Sequence, residues 1–99
     1  MADRRDVLTK TVRVVVRGRV QGVGYRAWTE RQARARDLAG SVRNRRDGSV
    51  EAVLSGLDEA VDGMLAAMQD GPPGALVSRT DVEPHPDLAE SGFRVLPTI

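Results

Sequence analysis

The stretch that decides the fold runs from residue 11 to residue 38 and reads TVRVVVRGRVQGVGYRAWTERQARARDL. Residues 11–17 are rich in β-branched valine, and three of the valines stand at alternate positions, which predicts a β-strand with one buried face. Val15 adds an apolar residue to the other face, so we predict an interior strand. Residues 25 to about 38 are dominated by alanine, glutamate, glutamine and arginine, which favours an α-helix.

Between this strand and this helix lies a loop with three glycines in residues 18–24. The first backbone N–H groups of a helix lack partners, and the helix dipole places partial positive charge there. Glycines let a loop curl so that several N–H groups converge on one anion, and Arg26 in the first turn can grip the same anion in two places. The loop predicts an oxyanion site, but it is not a Walker loop. By itself it is also compatible with a plain connection and a solvated Arg26.

The rest of the chain alternates between strand and helix patterns. Asp47-Gly48 indicates a hairpin turn between two strands, and Gly71-Pro72-Pro73 ends a helix with apolar residues at i, i+3, i+4 and i+7. Ser55 with Asp58 suggests a capping box at the start of that helix. The predicted elements are strands at 40–45 and 49–55, a helix at about 57–70, and strands at 75–83 and 93–96.

The order β-α-β-β-α-β with a short extra C-terminal strand is that of the α+β, ferredoxin-like split β-α-β sandwich. We therefore predict an antiparallel sheet with both helices on one face. Residues 1–10 are predicted to be a flexible N-terminal extension, and residues 11–99 a single domain.

The composition excludes several classes of function. The 99 residues contain no cysteine, which excludes disulfides, thiolate metal sites and cysteine nucleophiles. No apolar run approaches the roughly 18 residues of a membrane span, and the first ten residues do not resemble a signal peptide, so we expect a cytoplasmic protein without a membrane partner. Residues 1–50 hold 13 basic and 5 acidic side chains, whereas residues 51–99 hold 2 and 9. This asymmetry predicts an anion-attracting surface if the basic residues converge.

Two segments closely resemble the signatures of the acylphosphatase family. The first is GRVQGVGYR at residues 18–26, and the second is GSVRNRRDGSVE at residues 40–51. Glycine and proline at residues 71–73 and Gly92-Phe93 also fall where family members carry similar residues. The resemblance covers residues 12–96. It implies an acylphosphatase-like domain that hydrolyses the carboxyl-phosphate bond of acyl phosphates to a carboxylate and inorganic phosphate.

The resemblance also implies roles for individual residues. Arg26 would hold the charged oxygens of the substrate phosphate, and Asn44 would orient the attacking water. Without the family, Asn44 would be interpreted as a turn-promoting residue before the hairpin. The phosphate would be bound by the backbone amides of Val20, Gln21, Gly22, Val23, Gly24, Tyr25 and Arg26.

The sequence departs from the family pattern at three positions. Ser41 stands where the family usually has an aromatic or similar residue. Arg36 and Asp37 stand where an aliphatic residue and a glycine are common at the end of the first helix. None of the three touches the implied chemistry. We therefore expect them to lower stability and not to alter function.

The implied reaction needs little machinery. A departing carboxylate has a pKa of about 4 and can leave unprotonated, so positioning and charge stabilisation carry most of the catalysis. We hypothesise that the attacking water passes its proton to the phosphate itself. His85, between two prolines, is interpreted as a surface residue. No metal or other cofactor is expected, because carboxylates such as Asp47 and Glu51 form no ligand pattern.

Two alternatives from other classes remain. A ferredoxin-like RNA-binding domain is compatible with the basic first half, but the strands lack the exposed aromatics on which bases stack, so no nucleic-acid partner is expected. A non-catalytic module that binds acyl or carbamoyl phosphate would use the same glycine loop. The favoured interpretation is a monomeric, metal-free hydrolase acting on a small acyl phosphate.

Overall fold

The computed structural model describes residues 8–86 and 91–99. Seven elements follow one another in this part of the chain: β1 (Thr9–Arg19), α1 (Tyr25–Ala35), β2 (Ala39–Asn44), β3 (Val50–Leu57), α2 (Asp58–Met68), β4 (Leu76–Pro84) and β5 (Phe93–Val95). The predicted element order and α+β class are thereby confirmed. Neither of these helices is long and apolar enough to cross a bilayer.

The five strands form one sheet in the order β4-β1-β3-β2-β5. The four long strands are antiparallel, but β5 pairs with β2 in parallel. The prediction of a wholly antiparallel sheet is therefore wrong at this edge. The reason is the connection: β4 and β2 run in opposite directions, so a chain that leaves β4 and turns back at the far edge of the sheet must run in the direction of β2.

The outer edge of β2 is covered along its whole length by residues 92–99. Backbone hydrogen bonds join Gly40 N–H to the Gly92 carbonyl and Leu96 N–H to the Val42 carbonyl, both at 2.9 Å. Beyond β5, Ile99 donates its N–H to the carbonyl of Asn44 at 3.2 Å. β2 is consequently an interior strand up to its last residue.

The hydrophobic core lies between the sheet and the two helices. The alternating valines of β1 and the apolar stripe of α2 meet there, as their spacing predicts. Val15 is also buried, with 5% of its surface exposed, although it lies on the opposite face of the sheet. The largest fully buried core side chains are Tyr25, Leu54, Met64, Met68, Val14, Val16, Val20, Val42, Val50 and Val61.

The first strand begins earlier than predicted. Thr9 and Lys10 pair with Leu57 and Gly56 of β3, and the Lys10 ammonium lies 2.6 Å from the carboxylate of Asp62. Residues 9 and 10 therefore belong to the sheet and not to a flexible extension, because β3 continues to Leu57 and offers them partners. Leu8 is described and precedes the strand, whereas residues 1–7 of the predicted extension lie outside the described residues.

The strand β3 runs directly into α2 without a side-chain cap. The residue before the helix is Leu57, and the N–H of Asp58 donates to the carbonyl of Leu8 at 3.0 Å. The predicted capping box is wrong because Ser55 still belongs to β3. Its hydroxyl there lies 2.7 Å from the hydroxyl of Thr11 on the neighbouring strand.

Helix α1 ends three residues before its predicted end, in a left-handed turn at Asp37 with φ of 56°. The N–H of Asp37 donates to the carbonyl of Arg34 at 3.1 Å, and the N–H of Leu38 donates to that of Ala33 at 2.9 Å. This pair of bonds is the Schellman motif, in which glycine is the usual left-handed residue. The departure from the family pattern at Asp37 thus falls where a Cβ is sterically unfavourable.

We expect Asp37→Gly to raise the free energy of unfolding by about 0.5 kcal/mol, because relief of left-handed strain outweighs the added freedom of the unfolded chain. Asp37→Ala keeps the Cβ and is the matched control, which should be no more stable than the original protein. Urea midpoints at unchanged slope measure both effects. Equal shifts in the two variants would contradict the strain argument.

The face of the sheet without helices carries a network of cross-strand ion pairs. The Arg13 guanidinium lies 3.2 Å from the carboxylate of Glu83 and 3.8 Å from that of Glu51, and Arg17 lies 3.6 Å from Asp81. The arginines belong to the basic half of the sequence and these acids to the acidic half. Pairing therefore neutralises the charge asymmetry on this face, which does not form the anion-attracting surface that the sequence suggested.

Candidate active site

The loop between β1 and α1 curls into the helix through two left-handed glycines. Gly22 has φ of 76°, and Gly24, the residue before the helix, has φ of 80°. A Cβ at either position would meet nothing within 4 Å, so backbone conformation, and not space, is what favours glycine. Because the residue before the helix is glycine, no side chain makes a capping hydrogen bond there. The first N–H groups of α1 are therefore available to an anion.

A cleft of about 350 Å³ opens at this helix N-terminus. It brings together the two predicted catalytic residues, Arg26 on α1 and Asn44 at the end of β2. Of the seven implied loop residues, Val23 does not line the cleft and packs against the core. Among the described residues, the lining consists of Val20, Gln21, Gly22, Gly24, Tyr25, Arg26, Ala27, Glu30, Asn44 and Val95.

Arg26 lies in the first turn of α1 and is half-buried. Within residues 8–86 and 91–99 its guanidinium makes neither an ion pair nor a hydrogen bond. Glu30, one turn further along the helix, pairs with Arg34 at 3.1 Å. An unpaired guanidinium beside a helix N-terminus is suited to hold a tetrahedral anion at two of its oxygens.

Asn44 is the last residue of β2 and pairs with Val50 of β3. Its backbone is held by β3 on one side and by Ile99 on the other. Its half-buried carboxamide has no hydrogen-bond partner among the described residues and lines the cleft. The side-chain bonds that shape the following turn come from Asp47 instead.

The side chain of Gln21 ties the loop to the β2–β3 hairpin. Its amide nitrogen Nε2 donates to the carbonyl of Arg45 at 2.8 Å and to that of Ser49 at 2.9 Å. These carbonyls flank the turn that follows Asn44, so one amide group sets the spacing between the two halves of the cleft. The sequence predicts only a backbone role for Gln21, because no local pattern identifies partners 24 and 28 residues away.

The start of α1 is fixed against the end of α2 by Tyr25. Its buried phenol donates to the carbonyl of Met68 at 2.6 Å, and burial raises the pKa of this phenol well above its usual range. The ring also lies where a Cβ on Gly71 would approach within 2.6 Å. Tyr25 thus remains a hydrogen-bond donor at any ordinary pH and holds the end of the loop against α2.

Asp47 stabilises the hairpin next to Asn44. Its Oδ1 accepts from the hydroxyl of Ser49 at 2.5 Å and from the Ser49 N–H at 2.9 Å, while Oδ2 lies 3.3 Å from Arg17. The Ser49 bonds, with help from Arg17 and Arg45, lower the pKa of Asp47 to about 2. The carboxylate is therefore charged at neutral pH and joins the hairpin to β1.

This lowered pKa predicts a pH-dependent stability. The charged form of Asp47 stabilises the fold fully above the ordinary pKa of 3.8, and the stabilisation is lost as the pH falls toward 2. Asp47→Asn should therefore be less stable than the original protein at pH 7, and the gap should close between about pH 4 and pH 2. Midpoints of urea unfolding at pH 7, 4 and 2 measure this gap. Ser49→Ala removes the hydroxyl bond to Asp47, so it too should lower stability more at pH 7 than at pH 2. A gap that is constant with pH would contradict the argument.

Three further residues of the cleft were not predicted: Ala27, Glu30 and Val95. The first two follow Arg26 along the helix, but Val95 comes from β5, whose place beside β2 depends on the sheet order.

His85 follows β4, the edge strand opposite to β5, and its Nδ1 lies 2.9 Å from the Pro86 carbonyl. The part of the chain that the structure describes contains no group of three or more histidine or carboxylate side chains able to hold a metal.

Comparison with known proteins shows which family the chain belongs to. The acylphosphatase family profile matches residues 12–95. The chain is 52% identical over 95 residues to an acylphosphatase of Azorhizobium caulinodans, covering 93% of this chain and 100% of the relative. Among solved structures, the acylphosphatase of Bacillus subtilis has a TM-score of 0.84 at 34% identity and covers 90% of this chain and 99% of its own. That of Coxiella burnetii has a TM-score of 0.88 at 31% identity and covers 97% and 100%.

The fold and the cleft define a small α+β protein with an open cleft at a helix N-terminus. The sequence and structural matches make the assignment specific: the chain belongs to the acylphosphatase family and is an acyl phosphate hydrolase. The family membership implied by the two signature segments is therefore confirmed.

Proposed function

We propose that the cleft binds the phosphate group of an acyl phosphate through the loop amides and Arg26, while the carboxamide of Asn44 orients the attacking water. The single observation that carries the proposal is the meeting of these two side chains. Arg26 and Asn44 come from different elements, line one cleft, and have no partner among the described residues. Unpaired polar groups that converge on a helix N-terminus are arranged for an anion.

The proposed reaction is an in-line displacement at phosphorus. The water oxygen forms a bond to phosphorus as the bond from phosphorus to the acyl oxygen breaks, and the acyl group leaves with that electron pair as a carboxylate. The water proton moves to a phosphate oxygen. Because the leaving group has a pKa of about 4, no general acid is needed, and Arg26 with the loop amides stabilises charge on the transferring group.

The position of Asn44 favours hydrolysis over binding alone. A module that only held acyl or carbamoyl phosphate would need the glycine loop and Arg26, but not a carboxamide across the cleft. An RNA-binding sheet is less favoured, because ion pairs such as Arg13–Glu83 and Arg17–Asp81 occupy the open face. We further propose a cytoplasmic monomer, since Arg26 and Asn44 of the same chain line one cleft and the sequence has no cysteine.

The proposal is tested by phosphate release from benzoyl phosphate after exhaustive chelation, with His85→Ala as a control remote from the cleft. We expect full activity in both cases. Phenyl phosphate should be hydrolysed far more slowly, because phenoxide, with a pKa of about 10, leaves poorly without an acid. Activity that is lost on chelation and restored by one divalent metal would contradict the metal-free mechanism.

The same preparation separates the alternatives. Phosphate binding without turnover of benzoyl phosphate would favour the binding module. Salt-dependent retention of RNA, with no affinity for phosphate, would favour the nucleic-acid interpretation.

A further inference from the structure

Helix α1 carries a repeating charge pattern beside the cleft. Arg26, Glu30 and Arg34 are spaced four residues apart, so the carboxylate of Glu30 is within reach of either arginine. It pairs with only one of them: Glu30 Oε2 lies 3.1 Å from Nη2 of Arg34, and Arg26 is left unpaired among the described residues. The acid that lines the cleft beside Arg26 is thus held by its other neighbour.

This choice of partner matters because a carboxylate and a phosphate compete for the same guanidinium. Were Glu30 to pair with Arg26, an incoming phosphate would first have to displace it. The Glu30 side chain is 31% exposed, so it is only partly screened by solvent.

Two features make Arg34 the preferred partner. A glutamate placed four residues before a cation on a helix pairs better than one placed four residues after it, which favours Glu30 with Arg34 over Glu30 with Arg26. In addition, Nη2 of Arg34 donates to the backbone carbonyl of Phe93 at 3.1 Å. The Arg34 side chain is 64% exposed, but this bond joins its guanidinium to β5.

We propose that Arg34 is a positioning residue that holds Glu30 away from Arg26 and so keeps the Arg26 guanidinium open to phosphate. The inference rests on the proposed binding of phosphate by Arg26. It adds a residue that touches no substrate, and it predicts that loss of Arg34 acts on ground-state binding and leaves the chemical step intact.

The first test is the affinity of Arg34→Met for inorganic phosphate, measured by titration calorimetry at low salt. Release of Glu30 onto Arg26 should weaken binding by about three- to fivefold, the scale of a partly exposed ion pair. KM for benzoyl phosphate should rise by a similar factor while kcat stays close to that of the original protein. Arg31→Met, at an exposed arginine of the same helix, removes the same charge and should change affinity much less.

The second test separates this role from the bond to Phe93. In the Glu30→Gln background, Arg34→Met should weaken phosphate binding no more than Arg31→Met does, because no carboxylate remains to move. Arg34→Lys should keep most of the affinity, since lysine at this position still pairs with Glu30. A loss that persists in the Glu30→Gln background would assign the effect to β5 and overturn the proposal.

The failure of this inference differs from the failure of the proposed function. If the original protein binds phosphate and Arg34→Met binds it as well as Arg31→Met does, the positioning role is wrong and the proposed function stands. If the original protein binds no phosphate, the proposed role of Arg26 falls and the inference falls with it.

Discussion

Arg26→Ala is expected to lower kcat/KM for benzoyl phosphate about a thousandfold and to weaken competitive inhibition by inorganic phosphate. The guanidinium is proposed to hold two phosphate oxygens in the ground state and to stabilise the charge that builds on them during transfer. Removal of one preorganised donor of this kind costs about 100- to 1,000-fold in rate, and Arg26 contributes a full charge as well. Steady-state kinetics with phosphate as inhibitor measure both effects.

Stability serves as the internal check on this variant. Arg26 has no partner among the described residues, so its loss should leave the melting temperature almost unchanged. Arg26→Lys should restore little activity, because an ammonium group is a point charge without the planar fork. Turnover by Arg26→Ala at the level of the original protein would remove Arg26 from the site.

Asn44→Ala should lower kcat by two to three orders of magnitude, or about 3–4 kcal/mol, with phosphate affinity nearly unchanged. The reason is that the carboxamide is proposed to contact the water and not the phosphate. The measurements are kcat, phosphate affinity by calorimetry and melting temperature, all on the same variant.

A turn role for Asn44 predicts a different pattern. A loosened hairpin would lose stability, phosphate affinity and rate together. Asp47→Ala is the matched control, because it removes the bonds to Ser49 that shape this hairpin while sparing the carboxamide. If Asn44→Ala behaved like Asp47→Ala, the water-orienting role would be wrong.

The parts of the fold that the sequence predicts are those set by local periodicity. Alternating valines define the buried face of β1, and the apolar spacing of α2 defines its core face, because both patterns depend on neighbouring residues alone. The parallel β5 could not be predicted, since strand direction at the far edge depends on where the chain crosses the sheet. The capping box failed for a related reason: Ser55 and Asp58 fit the pattern, but pairing with β1 extends β3 past Ser55.

In the candidate site, too, the features that the sequence predicts depend on neighbouring residues, and the features that it misses depend on tertiary contacts. The glycine loop and Arg26 are adjacent in sequence, so the geometry of a strand-to-helix junction is enough to suggest an anion site. The roles of Gln21 and Val95 depend on tertiary contacts with segments far along the chain. Net charge was similarly uninformative, because a sum over residues does not say that Arg13 and Arg17 face Glu83 and Asp81 across the sheet.

Residues 92–99 cover the outer edge of β2, the strand that carries Asn44, and so protect this edge from pairing with another molecule. Without this segment β2 would be an edge strand, and its unpaired N–H and C=O groups would offer a template for a strand of another molecule. Such a docking strand would lie along the backbone that carries Asn44. Loss of residues 92–99 would therefore expose a sheet edge able to pair with another molecule and would also remove Val95 from the lining of the cleft.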